Sequence, residues 1–114
     1  MTDWLSRTEL LLGKDRVNTL ASANVLVVGL GGVGSYAAEM ICRAGVGSMT
    51  IVDGDQVNET NINRQLPAFH STVGRNKTDV VADRLMDINP DLKLTKINEF
   101  IHDDKIIEVV DGGY

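Results

Sequence analysis

The amino-acid sequence predicts an α/β fold with a doubly wound, mostly parallel sheet, and three observations lead to this prediction. Short apolar runs alternate along the chain with segments whose apolar residues recur at helical spacing. A glycine-rich turn separates the first apolar run from the helix after it. The first strand, this helix and the second strand together occupy about 30 residues, the usual size of one right-handed βαβ unit. We therefore expect parallel strands joined by crossover helices.

The first half of the chain supplies four predicted elements. Residues 5–20 mix apolar side chains with charges, which predicts a broken amphipathic helix on the outside of the sheet. Residues 24–29 hold an apolar, β-branched run that predicts a strand buried on both faces. Residues 33–44 return to helical spacing, and glycines stop the helix after them. Residues 49–52 form the second predicted strand.

The second half of the chain begins with a long polar connection. Residues 54–74 exceed the roughly 12 to 15 residues of most structureless loops, which indicates a functional loop. Residues 75–88 predict a helix that Asn89-Pro90 interrupts. Residues 92–97 alternate apolar and polar side chains as a third strand should, and residues 102–110 begin a further helix.

The composition bounds the size and the class of the protein. A chain of 114 residues with 43% hydrophobic residues is small for a three-layer sheet, so we expect either a fragment or a subunit that completes itself by association. The net charge of −5 excludes a basic nucleic-acid footprint, so any RNA contact would lie elsewhere. The single cysteine, Cys42, excludes an internal disulfide, predicts a small core residue and fits a reducing cytoplasm. No Cys/His spacing predicts a metal site.

The glycine turn satisfies the pattern G-x-G-x-x-G between a predicted strand and a predicted helix. Glycines there let the backbone turn tightly and approach a pyrophosphate, whose charge meets free N–H groups and the helix dipole. The simpler interpretation is that the glycines only allow close packing of the helix on the strand. The sequence context favours a Rossmann-like nucleotide site. The pattern holds one additional glycine, so the candidate residues are Gly29, Gly31, Gly32 and Gly34.

Asp53 ends the second predicted strand, 19 residues after Gly34. A carboxylate at this position can accept hydrogen bonds from both hydroxyls of a ribose, although a simple turn acid is the alternative. The usual ligand of such a fingerprint is NAD, and ATP would be unusual. The glycines and this acid therefore predict a nucleotide without identifying it.

The polar connection carries donors that suit phosphate. Asn61 offers an amide and Arg64 a guanidinium close to the proposed ribose acid, and Lys77 follows near a helix N-terminus. Taken singly, the arginine and the lysine are typical solvated surface cations. Taken together, the three donors predict a site for several phosphates, and a hydride-transfer site has no evident need for them.

Four ordered motifs follow one another along the chain: Gly29-x-Gly31-Gly32-x-Gly34, Asp53-x-Asp55, Asn61-x-Asn63-Arg64-Gln65 and Val73-Gly74-x-x-Lys77. Four motifs within about 50 residues are much more specific than one glycine fingerprint. Through them the sequence resembles the ubiquitin-activating-like superfamily, the group of MoeB, ThiF and HesA, and the resemblance covers nearly the whole chain. It implies that residues 1–114 are the N-terminal half of an ATP-binding domain whose C-terminal half is absent.

The resemblance implies a homodimeric enzyme that binds ATP and Mg²⁺ and lets a substrate carboxylate attack the α-phosphorus, giving an acyl-adenylate and pyrophosphate. It implies that the glycines face the phosphates, and that Arg64, Lys77 and an Arg7 reaching the partner subunit's ATP are catalytic. No general base is required, because the carboxylate is already ionised near neutral pH. The resemblance assigns the remaining nucleotide contacts to Asp53, Asp55, Asn61 and Gln65.

Two segments are most similar to the threonylcarbamoyladenosine dehydratase branch of this superfamily: Arg7 to Gly13 and Thr60 to Gln65. This resemblance implies a tRNA substrate, whose threonylcarbamoyl carboxylate would be activated and then closed into a cyclic form with overall loss of water. Activation of the C-terminal glycine of a ubiquitin-like sulfur carrier is the alternative within enzymes. A non-catalytic nucleotide-binding module and an NAD-dependent dehydrogenase are the alternatives of other classes.

Overall fold

A computed structural model describes residues 3–114, and its centre is a three-stranded parallel sheet in the order β1-β2-β3. The strands are β1 (Asn24–Val28), β2 (Ser48–Val52) and β3 (Lys93–Ile97). All strand pairs are parallel, which confirms the predicted α/β class. The central strand is β2, so both neighbouring strands take their register from it.

The residues that the structure describes form five α-helices around this sheet. The glycine turn ends where the third helix begins, and the polar connection ends where the fourth begins. Within residues 3–114, no helix combines the length and the apolar character needed to span a membrane. The helices are α1 (Ser6–Leu12), α2 (Lys14–Ala21), α3 (Gly34–Arg43), α4 (Lys77–Ile88) and α5 (Asp103–Val110).

The core lies between one face of the sheet and the paired helices α3 and α4. Cys42 of α3 is fully buried there, as predicted, and its Sγ donates to the carbonyl of Leu85 at 3.6 Å. Burial raises the pKa of this thiol above its usual value, because the thiolate would lose its hydration. The buried members of the core are Val27, Leu30, Ala38, Cys42, Met49, Ile51, Val81, Ala82, Leu85 and Leu92.

A buried carboxylate also ties α3 to α4. Glu39 of α3 accepts from Arg84 Nε of α4 at 2.7 Å and from Arg43 Nε at 3.3 Å. Its side chain is only 8% exposed, so the charge requires these partners. The hydrogen bond from Arg84, more than any other contact, holds the pKa of this carboxyl below its usual value.

The opposite face of the sheet meets the end of the chain. Thr50 neighbours the core residues Met49 and Ile51 in β2, so its side chain points to the other face. Its Oγ1 accepts from the Tyr114 hydroxyl at 2.8 Å. The chain therefore crosses from the α3/α4 side to the second face after β3, as a doubly wound sheet requires.

The prediction that the first strand is buried on both faces is wrong. Within residues 3–114, β1 pairs only with β2, so β1 is an edge strand. Val27 is buried against α3, whereas Val28 is 50% exposed on the second face. An apolar run identifies a strand, but whether other elements cover both of its faces depends on contacts distant in sequence.

The predicted break in the first helix is confirmed, but the predicted amphipathic packing is wrong for the half before the break. The break lies at Gly13, whose φ of +87° a non-glycine residue adopts only with strain. The first half, α1, has no buried residue, and Leu10 and Leu11 are 87% and 83% exposed. In the second half Val17 is buried. Only α2 thus packs as an amphipathic helix should.

Residues 54–74 are an ordered connection with a small core of its own. Two 3-10 turns lie within it, at Glu59–Asn61 and His70–Thr72. Val57 and Ala68 pack there against α4. The loop is therefore held against the fourth helix, which begins at Lys77 and not at the predicted residue 75.

Candidate functional site

The candidate site lies at the carboxyl edge of the sheet. The register places Val28, Val52 and Ile97, the last residues of the three strands, beside one another. The glycine turn follows β1 and Asp53 follows β2, so both leave the sheet at this edge. Open parallel sheets bind ligands at this edge, outside the carboxyl ends of the strands.

The glycine turn has a conformation that its sequence imposes. Gly29 has a φ of +90°, in the region that favours glycine, and its N–H donates to the Val52 carbonyl at 2.7 Å. A Cβ on Gly34 would collide with the Gly29 carbonyl oxygen, so only glycine permits this close approach. No side chain caps α3, and although the Ser35 N–H donates to the Gly31 carbonyl at 3.3 Å, the positive end of the helix still faces an anion.

Asp53 joins the glycine turn to the polar connection. Its Oδ2 accepts from the Leu30 N–H and its Oδ1 from the Asp55 N–H, each at 2.7 Å. Two hydrogen bonds fix the carboxylate beside the turn and leave further lone pairs free, since a carboxylate has about four acceptor sites. The group can therefore accept hydroxyl donors without moving.

Lys77 begins α4 with its side chain largely buried. Its Nζ lies 3.8 Å from Asp55 Oδ2, and its side chain is 6% exposed. Its backbone N–H donates to the Asp55 carbonyl at 3.0 Å. A bridge between Gln56 and Asn76 holds the two ends of the connection together. These contacts hold the ammonium beside Asp55, two residues after the proposed ribose acid.

The turn at Glu59–Asn61 orients the next group of predicted residues. The side-chain oxygen Oδ1 of Asn61 accepts from the Asn58 N–H at 2.9 Å. The backbone carbonyl of Asn61 accepts from the N–H groups of Arg64 and Gln65 at 3.1 and 2.9 Å. Arg64 Nη1 donates to the Thr60 carbonyl at 3.2 Å. The guanidinium is thus held by its own segment and is exposed, so it keeps donors for a ligand.

Arg64 and Gln65 stand over the glycine turn. A Cβ at Gly31 would lie 3.8 Å from Gln65 Nε2, and one at Gly32 would lie 3.9 Å from Arg64 Cγ. Gln65 is 9% exposed, yet its Oε1 has no hydrogen-bond partner. A buried, unpaired amide oxygen beside a turn of free N–H groups fits a polar ligand that completes the site.

A cavity of about 180 Å³ opens at the same edge. Asp53 and Gly29 line it on one side and Phe100 on the other. A Cβ at Gly54 would lie 2.6 Å from Phe100 Cδ2, so a glycine is required for the ring to close this wall. Phe100 was not among the residues predicted for the site, because neither periodicity nor a motif marks a residue that follows β3.

The structure thus brings together most of the predicted site residues, with Arg7 as the exception. Leu5 packs against Gly45, which precedes β2, so the start of α1 lies near the amino edge of the sheet. The ten residues of α3 separate that edge from the glycine turn by about 15 Å. Arg7 is exposed and does not join the site of its own chain.

The described part of the chain has no group of three or more His, Cys, Asp or Glu side chains placed to hold a metal ion. Arg64 lies over the glycine turn, and Lys77 lies beside Asp55, two residues after the anchored Asp53. The site combines oriented N–H groups, fixed positive charge and one anchored carboxylate, an arrangement that can bind a nucleotide by its ribose and its phosphates.

Comparison with known proteins agrees with this geometry. The sequence model of the ThiF family matches residues 5–112. The tRNA threonylcarbamoyladenosine dehydratase of Bacillus subtilis is 43% identical over 113 residues, which cover 99% of this chain and 44% of that protein. The molybdopterin-synthase adenylyltransferase of Salmonella typhimurium is 40% identical over 93 residues, 82% of this chain and 37% of that protein.

The solved structures include a counterpart that holds a nucleotide. The crystal structure of Escherichia coli tRNA N6-threonylcarbamoyladenosine dehydratase in complex with ATP superposes with a TM-score of 0.93 and 39% identity, covering 96% of this chain and 45% of that one. The chain thus spans somewhat less than half the length of the relatives that it matches.

Proposed function

Because the chain belongs to the ThiF family, we propose that it forms the ATP-binding part of an enzyme that adenylates a substrate carboxylate. One observation carries this proposal: the anchored Asp53, the glycine turn and the cations Arg64 and Lys77 lie together at one edge of the sheet. ATP in a dehydratase of 39% identity and the adenylyltransferase at 40% identity support it.

Different residues of the site contact different parts of the nucleotide. Asp53 accepts the ribose hydroxyls, the cavity beside it takes the base, and the glycine turn meets the phosphates with its N–H groups. Gln65 offers its unpaired oxygen, and Asn61 its amide N–H groups, to the bound nucleotide. Mg²⁺ would supply further charge neutralisation at the phosphates, whose oxygens are among its usual ligands.

The reaction needs charge neutralisation more than proton transfer. The carboxylate oxygen attacks the α-phosphorus, the bond to the bridging oxygen breaks, and pyrophosphate leaves with both electrons of that bond. Arg64 and Lys77 reduce the repulsion between anion and polyphosphate, and this effect is largest in the transition state. The walls around the site would also exclude water from the acyl-adenylate.

We further infer that the substrate is tRNA carrying threonylcarbamoyladenosine. The relative of 43% identity acts on this nucleoside by its name, and it matches 99% of the chain. After adenylation, a nucleophile within the same group would attack the acyl carbon and expel AMP, which closes the ring. A sulfur-carrier protein is the second candidate substrate, because the adenylyltransferase is 40% identical over a shorter stretch.

A second copy of the chain would complete the site. Arg7 lies away from the site of its own chain, on a helix whose Leu10 and Leu11 are exposed. Large apolar side chains exposed side by side suit a surface that a partner covers. We propose a homodimer in which each Arg7 serves the partner's ATP.

The proposal can be tested by ATP–pyrophosphate exchange with the protein as the cell makes it. Exchange that requires tRNA bearing threonylcarbamoyladenosine is the expected result, with the same tRNA lacking the modification as control. Exchange that requires a sulfur carrier would select the second candidate. ATP binding without exchange for any carboxylate would indicate a non-catalytic module, and preferential NAD binding would overturn the assignment.

A further inference from the structure

Asp55 makes three contacts that join the two ends of the nucleotide site. Its N–H donates to Asp53 Oδ1 at 2.7 Å, and its carbonyl accepts from the Lys77 N–H at 3.0 Å. Its carboxylate oxygen Oδ2 lies 3.8 Å from Lys77 Nζ. One residue therefore sets the distance between the proposed ribose acid and the proposed phosphate cation.

The two members of the ion pair differ in their freedom to move. The Lys77 side chain is 6% exposed, so its stem is confined by the protein around it. The Asp55 side chain is 58% exposed and can turn into water. Among the side chains that the structure describes, no other carboxylate oxygen lies within 4 Å of the Lys77 ammonium, and a largely buried cation needs a partner.

We propose that Asp55 is a positioning residue and the resting counter-ion of Lys77. It holds the ammonium in place until a polyphosphate arrives, then yields it to the phosphates and turns outward. Its backbone keeps Asp53 and Lys77 in register throughout. This inference rests on the proposed function, and it removes Asp55 from the groups that touch the nucleotide.

The exchange of partners predicts a particular dependence on Lys77. With the lysine present, ATP must replace the attraction between Asp55 and Lys77. The Asp55→Asn variant lacks this attraction, so it should bind ATP more tightly. Exposed ion pairs contribute about 0.2 to 1 kcal/mol, which corresponds to a gain of about 1.4- to 5-fold in affinity. In a Lys77→Gln background there is no attraction to replace. Repulsion between Asp55 and phosphate is common to both backgrounds, so the difference between them isolates the exchange.

The experiment is a double-mutant cycle measured by calorimetry on the protein as the cell makes it, with ATP, adenosine and inorganic tripolyphosphate as probes, first in EDTA and then in Mg²⁺. In EDTA, Asp55→Asn should raise the affinity for ATP and tripolyphosphate about 1.4- to 5-fold with Lys77, and by a smaller factor in Lys77→Gln. Adenosine affinity should stay unchanged, because the backbone contacts to Asp53 remain. Asp55→Glu should restore the ordinary affinities.

Three results would overturn the inference. An equal effect of Asp55→Asn in both backgrounds would show that the two side chains are not coupled. A loss of ATP affinity that needs Mg²⁺ would make Asp55 a metal ligand, and a loss of adenosine affinity would make its role structural. If the unmodified protein binds neither ATP nor adenosine, the proposed function fails; if it binds both and the coupling is absent, only the role of Asp55 fails.

Discussion

Glu39 offers the most direct test of how the site is held together, because it joins α3 and α4, the two helices that begin at the candidate site. Replacing Glu39 by Gln keeps the shape of the side chain and removes its charge. Hydrogen bonds to charged groups contribute about 1.5 to 3 kcal/mol and neutral ones about 0.5 to 1.5. Because Arg43 is half exposed, most of the loss comes from the 2.7 Å bond to Arg84. We expect a destabilisation of about 1 to 2 kcal/mol.

The pH dependence of this loss follows from the lowered pKa of Glu39. A carboxyl whose pKa is lower in the folded state stabilises the protein fully above its unfolded pKa of about 4.3. The contribution decreases as the pH falls through the folded pKa. Wild type and Glu39→Gln should therefore differ near neutral pH and converge in acid.

Urea unfolding of both proteins at about pH 7 and about pH 3.5 measures these differences. Glu108→Gln on α5 is the matched control, because that side chain is exposed, and its variant should match wild type. Equal stabilities of wild type and Glu39→Gln at neutral pH would refute the reasoning, as would a deficit that persists unchanged in acid.

Four further predictions concern the site and the core. Lys77→Gln should lower the turnover of pyrophosphate exchange at least about tenfold and change the affinity for ATP less, which exchange kinetics with parallel calorimetry would show. Gly31→Ala should weaken ATP binding, measured by calorimetry, and leave the thermal unfolding temperature unchanged. Gly34→Ala should lower both ATP affinity and thermal stability, because of these two positions only Gly34 has backbone where the added Cβ would lie. Cys42, buried with a raised pKa, should react with iodoacetamide only after unfolding, as mass spectrometry can follow. Mixing inactive Arg7→Ala with inactive Lys77→Gln subunits should restore exchange activity if the arginine acts across a dimer, and no recovery would exclude that role.

The glycine turn and its acid were predictable because their causes are local. A Gly34 without a side chain and a Gly29 at positive φ are required by the bend itself, wherever the rest of the chain lies. The position of Asp53 follows from strand length alone. For the same reason Cys42 was predicted as a core residue from its place in a helical pattern.

The remaining features depend on contacts distant in sequence. The edge position of β1 is decided by which strands pair, and the exposure of Leu10 by what covers α1. The ion pair between Asp55 and Lys77 needs the bridge that closes a connection of about 20 residues. No residue pattern predicts that closure. The motifs therefore indicated both residues as contacts of the nucleotide and did not predict their contact with each other.

The outer side of β1 has a practical consequence for anyone handling this chain. Within the described residues, the backbone of Asn24–Val28 offers a row of unpaired N–H and C=O groups on that side. The strand contains no charge, no proline and no bulge, the usual obstacles to edge-to-edge aggregation. Concentrated solutions of the isolated chain should therefore form intermolecular sheets, and a lysine in place of the half-exposed Val28 should keep the chain soluble.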